Sequence, residues 1–381
     1  MRLFLVAGEP SGDRLGGQLI AALRGLTDLE LAGVGGEAMA AEGMVSLFNP
    51  GELAIVGIVE AVPKIPMVWR RVQETVQHAI NFKPDVVVTI DSPSFSLEVA
   101  ERLRKRLPGV KLIHYASPQV WAWKAWRAKA MAGYLDHLMA LLPFEPPFFQ
   151  AHGLATTFVG HPVVSMVKDP QAGQDFRERH RIPARAPVIA MLPGSRRGEV
   201  RYLMPIFRRT AALLAERYPE LVIVIPTLSS VSDFVRAGAA DFVPRTIVAE
   251  GDDKHGLNEA AHAALTASGT VTLELAAAEL PMVVTYRVAP LTAAIVRQLV
   301  QVDFAALPNL VLEHDAVPEL LQGDATPEKL ARAVTLVMED DHVRARQIAD
   351  LGMTLVRLGR GGEPPALRAA KVVMSVWQGT K

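Results

Sequence analysis

Carboxylates crowd a Gly-rich turn near the start of the chain, where Gly8-Glu9-Pro10-Ser11-Gly12-Asp13 follows the apolar run Leu3–Ala7. Two acidic groups stand where a pyrophosphate would have to sit, so this is not a dinucleotide fingerprint. Carboxylates accept hydrogen bonds from hydroxyls, which suits a neutral, hydroxyl-rich ligand such as a sugar. Ser11 and Asp13 are also of the type that caps a helix; for Asp13 capping is the preferred reading, and for Glu9 the two readings balance. Asp91 follows the run Val86–Ile90 and precedes Ser92-Pro93. A carboxylate beyond a buried strand can serve as a general base, and Pro93 separates it from the helix it might otherwise cap. The second half carries the opposite charge. Leu192-Pro193-Gly194-Ser195-Arg196-Arg197-Gly198-Glu199 is a small, basic strand-to-helix turn, where backbone N–H groups, the helix dipole and Arg196 could meet a diphosphate. Ala267-Ser268-Gly269-Thr270-Val271-Thr272-Leu273-Glu274 opens a helix with small and hydroxyl residues and sets Glu274 about one turn inside. Small residues admit a phosphate, and Glu274 could accept both hydroxyls of a ribose.

Two further clusters are less specific. Three of the five tryptophans, Trp121, Trp123 and Trp126, lie within six positions beside Lys124 and Arg127; aromatic faces beside cations suit sugar rings, bases or a membrane interface, although each Trp alone reads more readily as core. Gly33-Val34-Gly35-Gly36 reads as a tight strand-to-helix turn. No metal is expected: there is no Asp-x-Asp pair at a strand end, Asp252-Asp253 reads as solvated, and no histidines pair at helical spacing.

The elements that must position these residues alternate. Strands are expected at Leu3–Ala7, Val86–Ile90, Lys111–Ala116, Leu138–Leu142, Val188–Leu192, Leu221–Ile225, Thr246–Ala249 and Met282–Tyr286, as continuous apolar runs of the kind buried on both faces. Helical periodicity fills Leu15–Leu26, Val99–Leu107, Leu203–Tyr218 and Glu328–Met338. The strand–Gly turn–helix pattern begins twice, at Leu3 and at Val188. The expected fold class is therefore α/β, with two Rossmann-like doubly wound domains facing each other across a cleft. The first spans residues 1–167, 168–187 reads as a linker rich in Pro, Arg and polar residues, and the second spans 188–362.

Composition narrows the class further. The 381 residues are 50% hydrophobic, and 40 basic residues balance 40 acidic ones, with mean hydropathy +0.21. A balanced charge argues against a nucleic-acid partner, and the apolar content argues against disorder. No apolar run approaches the ~20 residues of a spanning helix, and Gly8-Glu9-Pro10 cuts the opening run too short for a signal-peptide core. There is no cysteine. A soluble cytoplasmic protein of unusually high hydropathy is the expectation.

The chain resembles the lipid-A-disaccharide synthases, glycosyltransferases of the two-Rossmann-domain GT-B type. The resemblance runs nearly the whole length, through Val6–Gly16, Glu52–Glu60, Pro84–Pro93, Ile113–Trp123, Leu141–Glu145, Phe158–Pro162, Leu192–Glu199, Ala267–Glu274, Pro281–Arg287, Leu307–Leu310 and Val317–Gln322. It implies an inverting, metal-independent transfer of 2,3-diacylglucosamine from its UDP conjugate to the 6-hydroxyl of 2,3-diacylglucosamine 1-phosphate, giving a β-1,6 disaccharide phosphate and UDP without a cofactor. By that resemblance Asp91 is the catalytic base, with Glu9 a second carboxylate. Ser11 and Asp13 lie on the acceptor side. Arg196, Ser195, Ser268, Gly269, Thr270, Glu274 and Asn309 face the UDP donor. Segment 363–381 is expected to cross back onto the first domain, and a homodimer is compatible with the family. The chain departs from the family at Ser94 and Ser96, where Asp and Asn are common, at Gln301, where several members carry Lys, and in the acidic stretch Leu312–Ala316. Rivals to this reading are another UDP-sugar enzyme of the same architecture, such as an epimerase, and a non-catalytic UDP-sugar-binding protein.

Acylated substrates give Glu52–Val76 a second meaning. Ile55, Ile58, Val59, Val62, Ile65, Val68 and Trp69 recur at roughly helical spacing, interrupted by Pro63 and Pro66, with Lys64, Arg70 and Arg71 among them. An ordinary core-facing helix is one reading. With the implied substrates, an interfacial wedge on the cytoplasmic face of the inner membrane is preferred, with Val59, Val62, Ile65 and Trp69 toward lipid.

Overall fold

The computed structural model describes residues 1–53, 65–122, 125–250, 253–289 and 302–379. Two compact units divide the chain: Met1–Pro162 with Gly361–Lys381, and Val163–Arg360. Each holds one six-stranded sheet with every pairing parallel. The α/β class with two doubly wound units is the architecture found.

In the first unit the strands are β1 (Arg2–Ala7), β2 (Glu30–Val34), β3 (Val86–Ile90), β4 (Lys111–Tyr115), β5 (His137–Ala140) and β6 (Thr156–Phe158). Their order across the sheet is β2-β1-β3-β4-β5-β6. The chain leaves β1 toward one edge and returns at β3 on the other side of β1, so the topological switch lies between β1 and β3, where open parallel sheets bind ligands. Register sets Ala7 beside Ile90, and Glu9 and Asp91 therefore emerge at the same edge. Helix α1 (Pro10–Arg24) starts with Pro at its first turn, where the missing N–H costs nothing. The C-terminal helix, Pro365–Gln378, belongs to this unit: Ala369, Ala370 and Val373 are fully buried in one cluster with Leu19, Leu5 and Ile113.

In the second unit the strands are β7 (Val188–Leu192), β8 (Val222–Thr227), β9 (Arg245–Glu250), β10 (Ala263–Ala267), β11 (Met282–Tyr286) and β12 (Glu319–Leu321), ordered β12-β11-β10-β7-β8-β9. Here the switch falls between β7 and β10, whose following turns, Pro193–Arg196 and Ser268–Thr270, lead directly into helices. Period-two alternation sorts β7 between two cores. Ile189 and Met191 pack with Leu203, Phe207 and Val334, while Val188, Ala190 and Leu192 pack with Phe176, Leu257 and Leu351. Both faces are dry, as continuous apolar runs require.

Segment 168–187 is not an open linker but part of the second unit. It forms the helix Pro170–Arg179, capped by Asp169, which accepts the Ala172 N–H at 3.2 Å. Phe176 is fully buried, and at Gly173 a Cβ would come within 3.0 Å of Glu259. Close packing through a glycine and one aromatic side chain leaves no periodic apolar signature, which is why composition alone reads it as a connector.

Candidate active site

The turn after β1 packs against the end of β3 through glycines. A Cβ on Gly8 would come within 2.8 Å of the Ser92 hydroxyl, and one on Gly12 within 3.2 Å of the Ile90 carbonyl. Beyond β3 the backbone turns sharply, with Asp91 at φ 48° and Ser92 at φ 46°. Two consecutive non-glycine residues in the left-handed region are costly, and such strain gathers at functional sites. The turn is pinned on both sides. The Asp91 N–H donates to the Tyr115 carbonyl at 2.9 Å, and the Phe95 and Ser96 N–H groups donate to the Ser92 carbonyl at 3.0 and 2.9 Å. The Ser96 hydroxyl donates to the Ile90 carbonyl at 3.2 Å. Asp91 is half-buried and accepts the Ser11 hydroxyl at 2.7 Å. Glu9 is exposed at the N-cap of α1, its carbonyl accepting the Asp13 N–H at 3.0 Å. Glu9, Ser11 and Asp91 are thus brought to one sheet edge.

Asp13 does something else. Its buried carboxylate accepts the backbone N–H groups of Gly36, Ala38 and Met39 at 2.7, 2.9 and 3.1 Å. It caps helix α2 (Glu37–Ala41) from outside, because the N-cap residue Gly36 has no side chain to do so. The fit requires that glycine: a Cβ there would approach Asp13 Oδ2 to 2.8 Å. Capping governs this residue, and its carboxylate faces the protein rather than an acceptor.

Beneath Asp91, His114 on β4 is fully buried, its Nδ1 at 2.9 Å from the Thr89 hydroxyl. Burial lowers its pKa to about 4, against the upward pull of the Asp91 charge, so the ring is neutral at pH 7. The turn after β4 holds Trp121, buried, with its indole N–H donating to Glu145 Oε1 at 3.1 Å. Trp126 is 70% exposed. Trp123 and Lys124 lie outside the described residues.

In the second unit, Arg196 is the N-cap of the helix Arg197–Arg217. Its side chain is 79% exposed, and its guanidinium pairs at 2.9 Å with Glu199, whose own side chain is 8% exposed. Glu199 Oε2 accepts the N–H groups of Ser195 and Arg196 at 3.0 and 3.2 Å, and Tyr286 donates its hydroxyl to Oε1 at 3.4 Å. Gly194, at φ 101°, leaves room for that carboxylate, because a Cβ would stand 2.3 Å from Glu199 Oε2. The chain therefore places its own carboxylate on the N–H groups expected to meet a diphosphate. Glu199 lies in the motif, but its role depends on a side chain folding back three residues, which spacing alone does not single out.

Ser268 donates its hydroxyl to the Ala305 carbonyl at 2.6 Å. Gly269, at φ 157°, has nothing within 4 Å of where a Cβ would lie, so the backbone there is open to approach. Thr270 is exposed at the start of the helix Val271–Ala277. Glu274 is ion-paired with Lys254. Asn309, expected among the donor contacts, is instead fully buried. Its Nδ2 donates to the Val317 carbonyl and to Glu319 Oε1, and its Oδ1 accepts the Val317 N–H. Glu319 also accepts the Ala305 and Ala306 N–H groups at 2.9 and 2.8 Å. Asn309 therefore fixes this loop beside Ser268 together with Glu319, a role that motif spacing alone does not single out. Among the described residues no group of three or more His, Asp or Glu side chains could hold a metal ion.

The helix Ile65–Phe82 buries Val72, Thr75, Val76 and Ala79 and leaves Ile65 and Trp69 each 51% exposed. The Arg102 guanidinium stands 4.0 Å over the Trp69 ring. Val59 and Val62, with Ile55, Ile58, Pro63 and Lys64, lie outside the described residues. No described helix is long and apolar enough to cross a membrane.

A sequence model of the lipid-A-disaccharide synthetase family matches residues 3–358. The chain is 46% identical to the lipid-A-disaccharide synthase of Rhodospirillum centenum, covering 98% of this chain and 94% of that one. It is 43% identical to that of Paramagnetospirillum magneticum, covering 98% and 97%. Among solved structures, the fold is similar to a UDP-GlcNAc 2-epimerase from Neisseria meningitidis bound to UDP-GlcNAc, with TM-score 0.68, 12% identity and the whole of both chains covered. It is also similar to S. aureus MnaA solved with UDP, with TM-score 0.70, 13% identity, and 100% of this chain and 97% of that one covered.

Proposed function

The chain belongs to the lipid-A-disaccharide synthase family and is a hexosyltransferase of lipid A biosynthesis; on that premise we propose that Asp91 is its catalytic base and Arg196 its counter-charge to the departing UDP. The observation that carries this reading is the placement of Asp91: half-buried beyond β3, in a strained turn at the β1/β3 switch, and hydrogen-bonded to Ser11.

The acceptor is 2,3-diacylglucosamine 1-phosphate and the donor UDP-2,3-diacylglucosamine. Asp91 takes the proton of the acceptor 6-hydroxyl as its oxygen attacks the anomeric carbon, while the bond from that carbon to the β-phosphate oxygen breaks and UDP carries the electron pair away. One displacement turns an α donor into a β product. Ser11, bonded to one carboxylate oxygen, orients Asp91, and Glu9 at the same edge accepts from other acceptor hydroxyls. His114 below is neutral at pH 7. On the donor side the exposed Arg196 guanidinium meets the diphosphate as charge develops on it, held in direction by Glu199. Gly269 and Thr270 present open backbone to the phosphates, and Glu274 exchanges Lys254 for the ribose hydroxyls. Ser268, Asn309 and Glu319 hold the loop at Ala305–Ala306.

The same reading puts the protein on a membrane surface, the cytoplasmic face of the inner membrane, where its acylated substrates lie. Ile65 and Trp69, half-exposed at the start of an otherwise packed helix, support it, because an apolar pair beside Arg70 and Arg102 suits the headgroup boundary. Stereochemistry tests the chemistry: proton NMR of the product should give the β linkage. An α linkage would require a second displacement and would overturn the single-step mechanism.

A further inference from the structure

Glu145 has no part in the chemistry above, yet it is one of the most deeply buried carboxyls of the first unit, at 2% exposure. It opens the helix Glu145–Ala151 beyond β5. One oxygen accepts the Trp121 indole N–H at 3.1 Å and the other the Leu142 backbone N–H at 3.0 Å. Trp121 belongs to the turn after β4 and Leu142 to the turn after β5, so one carboxylate ties the ends of two neighbouring strands. The Trp121 ring also meets Phe144 edge-on at 4.9 Å.

The next strand over is β3. Asp91 donates its N–H to Tyr115, the last residue of β4, at 2.9 Å, and Ala116 donates to Met139 of β5 at 3.0 Å. Three adjacent strand ends are therefore joined in a row, with Asp91 at one side and Glu145 at the other. Between them the turn leaves the ladder at once: Ala116 has φ 71°, Pro118 lacks an N–H, and the Ser117 hydroxyl is buried without a well-formed hydrogen bond. The side chain of Glu145 supplies the anchoring that the ladder does not.

An apolar side chain would fill the same space without the desolvation cost of a carboxyl. That cost is visible: burial raises the Glu145 pKa to about 7, although Ser117, Leu142, Trp121 and Leu141 all pull it down.

We propose that Glu145 is a positioning residue for the acceptor: by clamping the turn Ala116–Trp121 beside Asp91, it shapes the wall against which the sugar phosphate is oriented, and so controls acceptor affinity without touching donor affinity. The inference rests on the reading that the Asp91 edge of the first sheet takes the acceptor. Steady-state kinetics of Glu145→Ala, varying each substrate in turn, tests it. The expected result is an acceptor KM raised about tenfold or more with the donor KM within twofold, partly rescued in Glu145→Gln, whose amide oxygen still accepts the indole N–H although its NH2 cannot accept the Leu142 N–H. If Glu145→Ala does not fold, Trp121→Phe removes only the indole donor and should raise the acceptor KM severalfold, again leaving the donor KM unchanged. Equal changes in both KM values, or an unchanged acceptor KM in a folded variant, would overturn the proposal. Asp91→Asn in the same assay separates the premise from the inference. Full activity there removes the acceptor-side reading itself, whereas an inactive Asp91→Asn beside a kinetically normal Glu145→Ala removes only the role given to Glu145.

Discussion

The Ser11 hydroxyl donates to Asp91 Oδ2 at 2.7 Å across a separation of 80 residues. That bond joins the turn after β1 to the turn after β3, the two strands between which the chain reverses its direction of travel across the sheet. Gly8 and Gly12 make it short enough to form, since side chains there would push the turns apart. A carboxylate so held keeps its second oxygen for a substrate proton.

Asp13 separates architecture from chemistry. Replacing it with alanine leaves the N–H groups of Gly36, Ala38 and Met39 without their acceptor. Loss of a buried acceptor of this kind costs about 3 kcal/mol. Urea unfolding of Asp13→Ala should show a lower midpoint with an unchanged slope, and the KM values of the folded fraction should stay near wild type. A specific rise in acceptor KM at unchanged stability would instead make Asp13 a ligand group.

Arg196 and Glu199 form a graded pair. Arg196→Ala removes the exposed guanidinium and should raise the donor KM or lower kcat by about 10–100-fold, the range of a charged hydrogen bond worth roughly 1.5–3 kcal/mol. Glu199→Gln keeps the turn but loosens the guanidinium, and its effect should be smaller, about tenfold. Isothermal titration with UDP reads both. Equal UDP affinity in wild type and Arg196→Ala would remove Arg196 from the donor site.

Glu145 also predicts a pH dependence of stability. Its folded pKa is raised to about 7, chiefly by burial, so between about 4.5 and 7 the native state binds the extra proton. Stability from this group is present at the acid end of that window and is lost as pH rises through it. Burial lowers the His114 pKa to about 4 and gives the opposite slope from about 4 to 6.5, which masks the effect in the wild type. Comparison with Glu145→Gln isolates it. From pH 4.5 to 7 the stability difference should shift in favour of the Gln variant, by on the order of 3 kcal/mol. A constant difference across that range would mean the carboxyl is not raised.

Much of this was legible in sequence, and the exceptions have physical causes. Strands buried on both faces announce themselves as apolar runs, so β1, β3, β7 and β11 stand within a residue of expectation. Short strands do not: Thr156–Phe158 and Glu319–Leu321 have three residues each, too few for a period, and the Ala-rich Ala263–Ala267 reads equally well as helix. Strand order was not written locally at all, since it depends on which edge each crossover takes. Asp91, Arg196 and Glu274 stand out as candidates because a charged residue just beyond a strand end is a local pattern. For Asn309, motif position cannot reveal that both ends of its amide are turned inward, and for Glu145 the indole partner Trp121 lies in a different turn, 24 residues away.

Membrane attachment should depend on the exposed start of the helix Ile65–Phe82. Ile65→Ser combined with Trp69→Ser removes half-exposed apolar surface without entering the core, so circular dichroism should be unchanged. Sedimentation with anionic phospholipid vesicles should show binding weakened about tenfold or more, which corresponds to roughly 1.4 kcal/mol. Unaltered partitioning would assign lipid contact to another surface.

The most direct measurement is turnover of Asp91→Asn with both diacylated substrates, followed by release of UDP and formation of the disaccharide. Asparagine preserves the shape and can still accept from Ser11, but it cannot take a proton at neutral pH. The account predicts a kcat reduced by about 10²–10⁴-fold, the usual contribution of a general base, with the donor KM nearly unchanged. A variant that turns over at the wild-type rate would contradict it.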